Sequence, residues 1–272
     1  MYSVQVAWSQ IIGARKSQQD SASVVTWPNG FRLLLLADGM GGHVGGDIAS
    51  HLVIDTFKQH FIESDEQDIK QRLINALDAA NLAIYHQVKE KPELSGMGTT
   101  LIAAVFDGLY LQWLSVGDSP MWLLRDKTLV RLNENHSMSE VLARKVELGE
   151  ISSEDARTSP IRSQLLEAVM GENIERVDAP DHSRELKQND LLILASDGVE
   201  SCSDETIIEV CHQSSNDTDE LTMALLNAVK AQERLKQDNA TLIVMQVKEP
   251  VVNEPATVQP EAGEILEEPS TH

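Results

Sequence analysis

The sequence predicts an α+β fold in which helices pack outside mainly antiparallel sheets, and three observations predict it. Two turn signals separate short apolar runs: Pro28-Asn29-Gly30 between 21–27 and 31–37, and Asp107-Gly108 between 99–106 and 109–116, each the mark of a β-hairpin. Ile69, Leu73, Leu77, Ala80, Ile84 and Val88 recur at three- and four-residue steps, the mark of an amphipathic helix that Pro92 closes. The order is strands, two long helices, strands, then helices, which is not the βαβ alternation of a parallel sheet.

Taken in order, 4–8 reads as a first strand, and 21–27 with 31–37 as a hairpin. A helix follows over 47–61, with Ile48, Leu52 and Phe57 among its apolar positions, and the amphipathic helix follows that. The middle returns to strands at 99–106, 109–116, 121–124 and 128–132; Arg125-Asp126-Lys127 turns the last pair. The stretch 137–148 reads as a helix ended by Gly149, and 152–157 as a short second one. A buried strand is expected at 191–195. Helices are expected at 204–211 and 219–235, the latter with Leu221, Leu225, Ala228 and Leu235 on one face, and a last strand at 241–247. No internal repeat is visible. Residues 1–248 are expected to form one domain, and 249–272, with four prolines, six glutamates and no Lys or Arg, an acidic disordered tail.

The 272 residues carry 22 basic against 43 acidic side chains, a net charge of -21. A field of that sign repels nucleic acid and anionic membrane, which makes both poor partners. It also repels a phosphorylated substrate unless bound divalent cations offset it locally. No apolar segment is long enough to span a bilayer, and the first ten residues lack the basic start and long apolar stretch of a secretory leader. Cys202 and Cys211 make no disulfide framework; reduced thiols and a cytoplasmic location are expected.

The chemistry concentrates at strand ends. The run Leu33-Leu34-Leu35-Leu36-Ala37 stops at Asp38, and Gly39-Met40-Gly41-Gly42-His43-Val44-Gly45-Gly46 follows. Asp38 is placed to hold a hard cation with the Gly39 carbonyl beside it. Apolar runs also end near Asp118 and Asp197, and Asp238 precedes another. Aspartates at several strand edges suggest one shared polynuclear site. All-oxygen donors of this kind select Mg²⁺ or Mn²⁺ over zinc. Taken singly, each aspartate reads equally well as a turn or cap, Arg15 as a surface cation and His43 as a helix cap.

Seven motifs in order carry a resemblance: Gly13-Ala14-Arg15-Lys16-Ser17-Gln18-Gln19-Asp20, Ala37-Asp38-Gly39-Met40-Gly41-Gly42-His43, Gly96-Met97-Gly98-Thr99-Thr100, Val116-Gly117-Asp118-Ser119, Asn135-His136-Ser137, Ala195-Ser196-Asp197-Gly198 and Asp238-Asn239-Ala240-Thr241. Over 4–247 the chain resembles the PP2C (PPM) metal-dependent protein serine/threonine phosphatases, most closely their single-domain bacterial branch. The resemblance implies a four-layer α-β-β-α sandwich with two mainly antiparallel sheets and two or three Mn²⁺ or Mg²⁺ ions at one end. It implies that Asp38 bridges two metals, that the Gly39 carbonyl binds the first, that Asp197 and Asp238 hold the second and Asp118 a third, and that Asp20 acts through water. Arg15 would bind the substrate phosphate and His43 would be the general acid. Phosphorylated proteins would be the substrates, a Ser/Thr kinase the opposing partner, and the chain a monomer. The competing expectation is a catalytically inactive pseudophosphatase used for binding.

Three departures stand out. The family shows Asn-Glu-Asp where this chain has Gln18-Gln19-Asp20, which removes one outer carboxylate. Pro120 replaces an arginine and Asn135 an aspartate. His136 is read as structural.

Overall fold

In the computed structural model, which describes residues 2–213 and 217–250, the run Leu33 to Ala37 is buried throughout because its alternate residues enter two different cores. Successive side chains of a strand point to opposite faces, so a strand covered on both sides reads as unbroken apolar sequence. Burying each leucine contributes about 1.5–3 kcal/mol.

The chain runs β1 (Tyr2–Ile11), β2 (Asp20–Thr26), β3 (Arg32–Met40), α1 (Gly42–Glu63), α2 (Ile69–Glu90), β4 (Gly98–Thr99), β5 (Leu101–Phe106), β6 (Tyr110–Val116), β7 (Met121–Arg125), β8 (Thr128–Arg131), α3 (Met138–Glu147), α4 (Ser153–Thr158), β9 (Arg184–Glu185), β10 (Leu191–Ala195), α5 (Asp204–Gln213), α6 (Thr218–Lys230) and β11 (Ala240–Pro250), with 3-10 turns at Pro92–Leu94 and Asp197–Ser201. One sheet has the order β1-β11-β10-β7-β8; the other has β2-β3-β5-β6-β9, with β4 on the end of β3. Every pairing is antiparallel. Leu34, Leu36, Ile102 and Ala104 of one sheet face Leu192, Leu194, Ile243 and Met245 of the other. The outer face of the first of these sheets, with Leu33, Leu35 and Ala103, is covered by Val53, Phe57 and Phe61 of α1 and Leu73, Leu77 and Ile84 of α2. The outer face of the second, with Ile193, Leu242 and Val244, is covered by Ile207 of α5 and Leu221, Leu225 and Val229 of α6. This is the α-β-β-α sandwich.

Several boundaries correct the expectations. β3 does not stop before Asp38: it continues to Met40 by exchanging β5 for β4, pairing Gly39 with Thr99 and Met40 with Gly98. α1 begins at Gly42 rather than 47, so the glycine-rich stretch is its first turn. α6 ends at Lys230, and Leu235, expected on its apolar face, is 97% exposed. The two-residue strands β4 and β9 are too short for any periodicity to reveal. β11 runs to Pro250, opposite Tyr2, past the boundary expected at 248; the rest of the expected tail lies outside the described residues. No helix among the described residues is long and apolar enough to cross a membrane.

Candidate metal centre

Register places the acidic strand ends together. Asp20 at the start of β2 pairs directly with Asp38 near the end of β3. Leu36 pairs with Ile102, and Leu101 with Val116, so the end of β6 and its following Asp118 lie at the same edge. In the other sheet Ala195 pairs with Leu242, which sets the turn bearing Asp197 beside the start of β11, after Asp238. Asp38, Gly39, Asp118, Asp197, Asp238 and Arg15 all line one cleft of about 750 Å³.

Hydroxyls and amides fix this edge. The Asp38 N–H donates to Thr100 Oγ1 at 3.0 Å, and its carbonyl accepts from Thr99 Oγ1 at 2.8 Å and Thr100 N–H at 2.9 Å. Thr100 Oγ1 in turn meets Ser119 Oγ at 2.7 Å. Asp20 Oδ2 accepts from Ser196 Oγ and Thr241 Oγ1, each at 2.7 Å, which ties the two sheets together. Asn239 Oδ1 accepts from the Gln19 N–H at 2.9 Å, and its Nδ2 donates to the carbonyls of Ile12 and Ser17 at 2.8 and 3.1 Å. Glycine is required at two contacts: a Cβ on Gly39 would lie 2.1 Å from the Gly46 carbonyl oxygen, and one on Gly198 would lie 1.9 Å from that of Asn239. The first packs α1 onto the end of β3; the second presses the Asp197 turn against Asp238-Asn239.

The acids repel one another and are partly withdrawn from solvent. Burial, with repulsion from Asp20, Asp197, Asp238 and Asp118 added, raises Asp38 well above the usual carboxylate range. Burial and neighbouring acids push Asp197 to about 7 and Asp118 to about 6. Asp20 is raised by burial against the pull of its two hydroxyl donors, and its Oδ1 is buried with no hydrogen-bond partner among the described residues. Among the described residues no three acidic, histidine or cysteine side chains gather closely enough to hold one ion. That spacing suits Mg²⁺ or Mn²⁺, which keep several waters and take only one or two carboxylates each. Repelling carboxylates, an orphaned buried oxygen and an all-oxygen donor set fit divalent cations.

Arg15 does not stand alone at the cleft mouth. Its Nη2 donates to Asp238 Oδ2, with its side chain 52% exposed. His43 falls in the first turn of α1, and its side chain lies outside the described residues. His136 is buried, accepting from the Gly117 N–H at Nδ1 at 3.3 Å while its own N–H donates to the Gly117 carbonyl. It shapes the turn before Asp118, in keeping with a structural reading. The sequence reading missed Arg131, and carried Ser119 only as a member of the Val116-Gly117-Asp118-Ser119 motif. Arg131 donates from Nη2 to the Asp118 carbonyl at 2.7 Å. Its place on β8 carries no signal; Thr100, Ser196 and Thr241 were signalled only as members of motifs.

The raised acids make a stability prediction. Their folded pKa values exceed the unfolded value near 4, so the folded state binds more protons and stability falls as pH rises through about 4 to 7. For the metal-free protein the melting temperature is expected to drop between pH 5 and pH 8, by about 2–4 °C per kcal/mol lost. Mn²⁺ is expected to raise it more at pH 8 than at pH 5, because only ionised carboxylates bind the cation. Calorimetry with and without chelator checks this; an equal Mn²⁺ shift at both pH values would contradict it.

A sequence profile described as protein phosphatase 2C matches residues 11–242. The chain is 40% identical over 183 residues to the serine/threonine protein phosphatase PstP of Mycobacterium tuberculosis, covering 66% of this chain and 34% of that protein. It therefore spans about a third of the length of that relative. It is 30% identical over 236 residues to the serine/threonine phosphatase stp of Listeria welshimeri, covering 85% of this chain and 91% of the relative. The crystal structure of the PstP catalytic domain in complex with two manganese ions superposes with a TM-score of 0.75 at 32% identity, covering 92% of this chain and all of that one (100%).

Proposed function

We propose that this chain, which belongs to the protein phosphatase 2C family, removes phosphate from phosphoserine and phosphothreonine in proteins, using two or three Mn²⁺ or Mg²⁺ ions. The observation that carries the reading is the single cleft shared by Asp38, Gly39, Asp118, Asp197, Asp238 and Arg15. Asp38 and the Gly39 carbonyl would hold one ion, Asp197 and Asp238 a second with Asp38 between the two, and Asp118 a third. When bound, such ions supply positive charge to phosphoryl oxygens and a nucleophilic water at neutral pH. Asp20, fixed by Ser196 and Thr241, offers its unpartnered Oδ1 as an acceptor that orients water. Arg15 offers a planar fork of donors that matches phosphate bidentately, which lysine does not. Its pairing with Asp238 holds the guanidinium at the cleft mouth before substrate arrives. His43 would protonate the leaving seryl or threonyl oxygen. The activity belongs to residues 1–248, acting in the cytoplasm as a monomer and opposing a Ser/Thr kinase.

The test is hydrolysis of a phosphothreonine peptide and of p-nitrophenyl phosphate with Mn²⁺, abolished by chelator. No hydrolysis of either substrate in loaded protein would leave a binding-only role. Arg15→Ala is expected to raise KM for both substrates about tenfold, the scale of one charge-assisted hydrogen bond, with a smaller change in kcat. An effect on one substrate only would remove Arg15 from the shared phosphate contact.

A further inference from the structure

Beyond Asp118 lies a second pocket of about 190 Å³, and Asp118, Ser163, Asp197 and Asp238 line both it and the cleft. That volume holds about six waters at roughly 30 Å³ each, room for a carboxylate or phosphate group. Its other side has the opposite sign: Arg162, Arg234 and Lys236 line it, in a chain with 22 basic against 43 acidic residues. The remaining acid there, Glu200, is already paired with Arg131 at 3.4 Å. Arg234 is anchored by Nη2 on the Ser201 carbonyl at 3.0 Å. Arg162 and Lys236 make no ion pair among the described residues.

Two further groups edge this pocket. Ser201 and Gln237 line it at 8% and 9% exposure, and Ser201 Oγ and Gln237 Oε1 have no hydrogen-bond partner among the described residues. Unpartnered buried polar atoms are rare in folded proteins and call for a ligand or water. The three aspartates are the ones that would hold cations in the main cleft. Once those are bound, the charge left in the second pocket is positive.

We propose that this pocket binds a second anionic group of the substrate, a carboxylate or phosphate on a residue flanking the one being dephosphorylated. Arg234, Lys236 and Arg162 supply the positive charge, and the Ser201 hydroxyl and a bridging water on Gln237 Oε1 complete the polar lining. The inference rests on the phosphatase reading above. It makes the enzyme selective for acidic or multiply phosphorylated segments, despite its own negative charge.

The experiment uses the full chain with Mn²⁺ and phosphothreonine peptides that are otherwise neutral. Each carries one Glu, or one phosphoserine, at a single position within about three residues of the phosphothreonine. At one or more positions the acidic group is expected to lower KM about tenfold with little change in kcat, and added salt is expected to shrink the gain. A larger gain from phosphoserine than from Glu identifies phosphate as the favoured group; the reverse identifies carboxylate. Lys236→Gln and Arg234→Gln are expected to cut the gain to threefold or less (roughly, one charge-assisted bond lost). Arg234→Lys keeps it, and p-nitrophenyl phosphate, which has no flanking group, is hydrolysed as by the unaltered protein. Equal use of neutral and acidic peptides, or a gain that survives both Gln variants, overturns the proposal. Failure to hydrolyse even p-nitrophenyl phosphate would instead remove the phosphatase reading, and this one with it.

Discussion

Asp38→Asn is expected to lower Mn²⁺-dependent hydrolysis of p-nitrophenyl phosphate and of phosphopeptides by at least about 10³-fold, the upper range for losing one preorganised electrostatic group. The substitution keeps size and shape. The backbone of Asp38 stays fixed by Thr99 and Thr100, so the fold has no reason to yield. What disappears is the charge proposed above to lie between two cations. The same change is expected to raise the melting temperature of the metal-free protein at pH 8. There the native carboxylate is squeezed by burial and by Asp20, Asp197, Asp238 and Asp118, which Asn relieves. As pH falls and the raised Asp38 takes up its proton, the gap between the two melting temperatures is expected to narrow. The Mn²⁺-induced rise at pH 8 is expected to shrink in the variant. Activity near that of the unaltered protein would show that Asp38 bridges nothing; lost activity with a lowered metal-free melting temperature would make the residue structural instead.

The proposed role of Asp38, a ligand whose charge burial and repulsion disfavour, accounts for what was legible in the sequence. Carboxylates stand where apolar strands end, and Leu33 to Ala37 running into Asp38-Gly39 reads as a buried strand meeting a carboxylate placed to hold a hard cation. The same holds for Ala195 before Ser196-Asp197-Gly198 and for Asp238-Asn239 before β11. Antiparallel hairpins then leave little choice about where these ends meet, because β3, β6 and β10 finish, and β2 and β11 start, at one edge.

What stayed hidden has physical causes. The exchange of β5 for β4 along β3 depends on backbone pairing with Gly98-Thr99, and two residues show no period. The start of α1 was hidden because glycines disfavour helix, yet here tertiary packing of Gly46 against the end of β3 overrides propensity. The end of α6 was misjudged because Leu235 keeps the helical spacing while the chain has already turned at Ala231. Arg162 lies about seventy residues before Arg234 and Lys236 and joins them only in the folded protein, so no local pattern announces a basic pocket in an acidic chain.

His43→Gln is expected to slow phosphopeptide hydrolysis by about 10²–10⁴-fold, the range for removing a general acid, and to slow p-nitrophenyl phosphate hydrolysis far less. A seryl or threonyl alkoxide is a strong base and leaves only as it is protonated; p-nitrophenolate leaves without help. Among the described residues lining the cleft, the other proton carriers are Lys16 and the aspartates. The aspartates would give up their protons on binding cations, and a histidine is the more common proton donor near neutral pH. An imidazole in the first turn of α1, next to the Asp38-Gly39 strand end in sequence, has the right acidity. The pH profile separates a proton donor from a structural residue. Phosphopeptide hydrolysis by the unaltered enzyme is expected to fall on the basic side as His43 loses its proton, and the variant is expected to lack that limb. Equal slowing of both substrates with an unchanged pH profile would take the proton transfer away from His43 and leave it a part of the helix start.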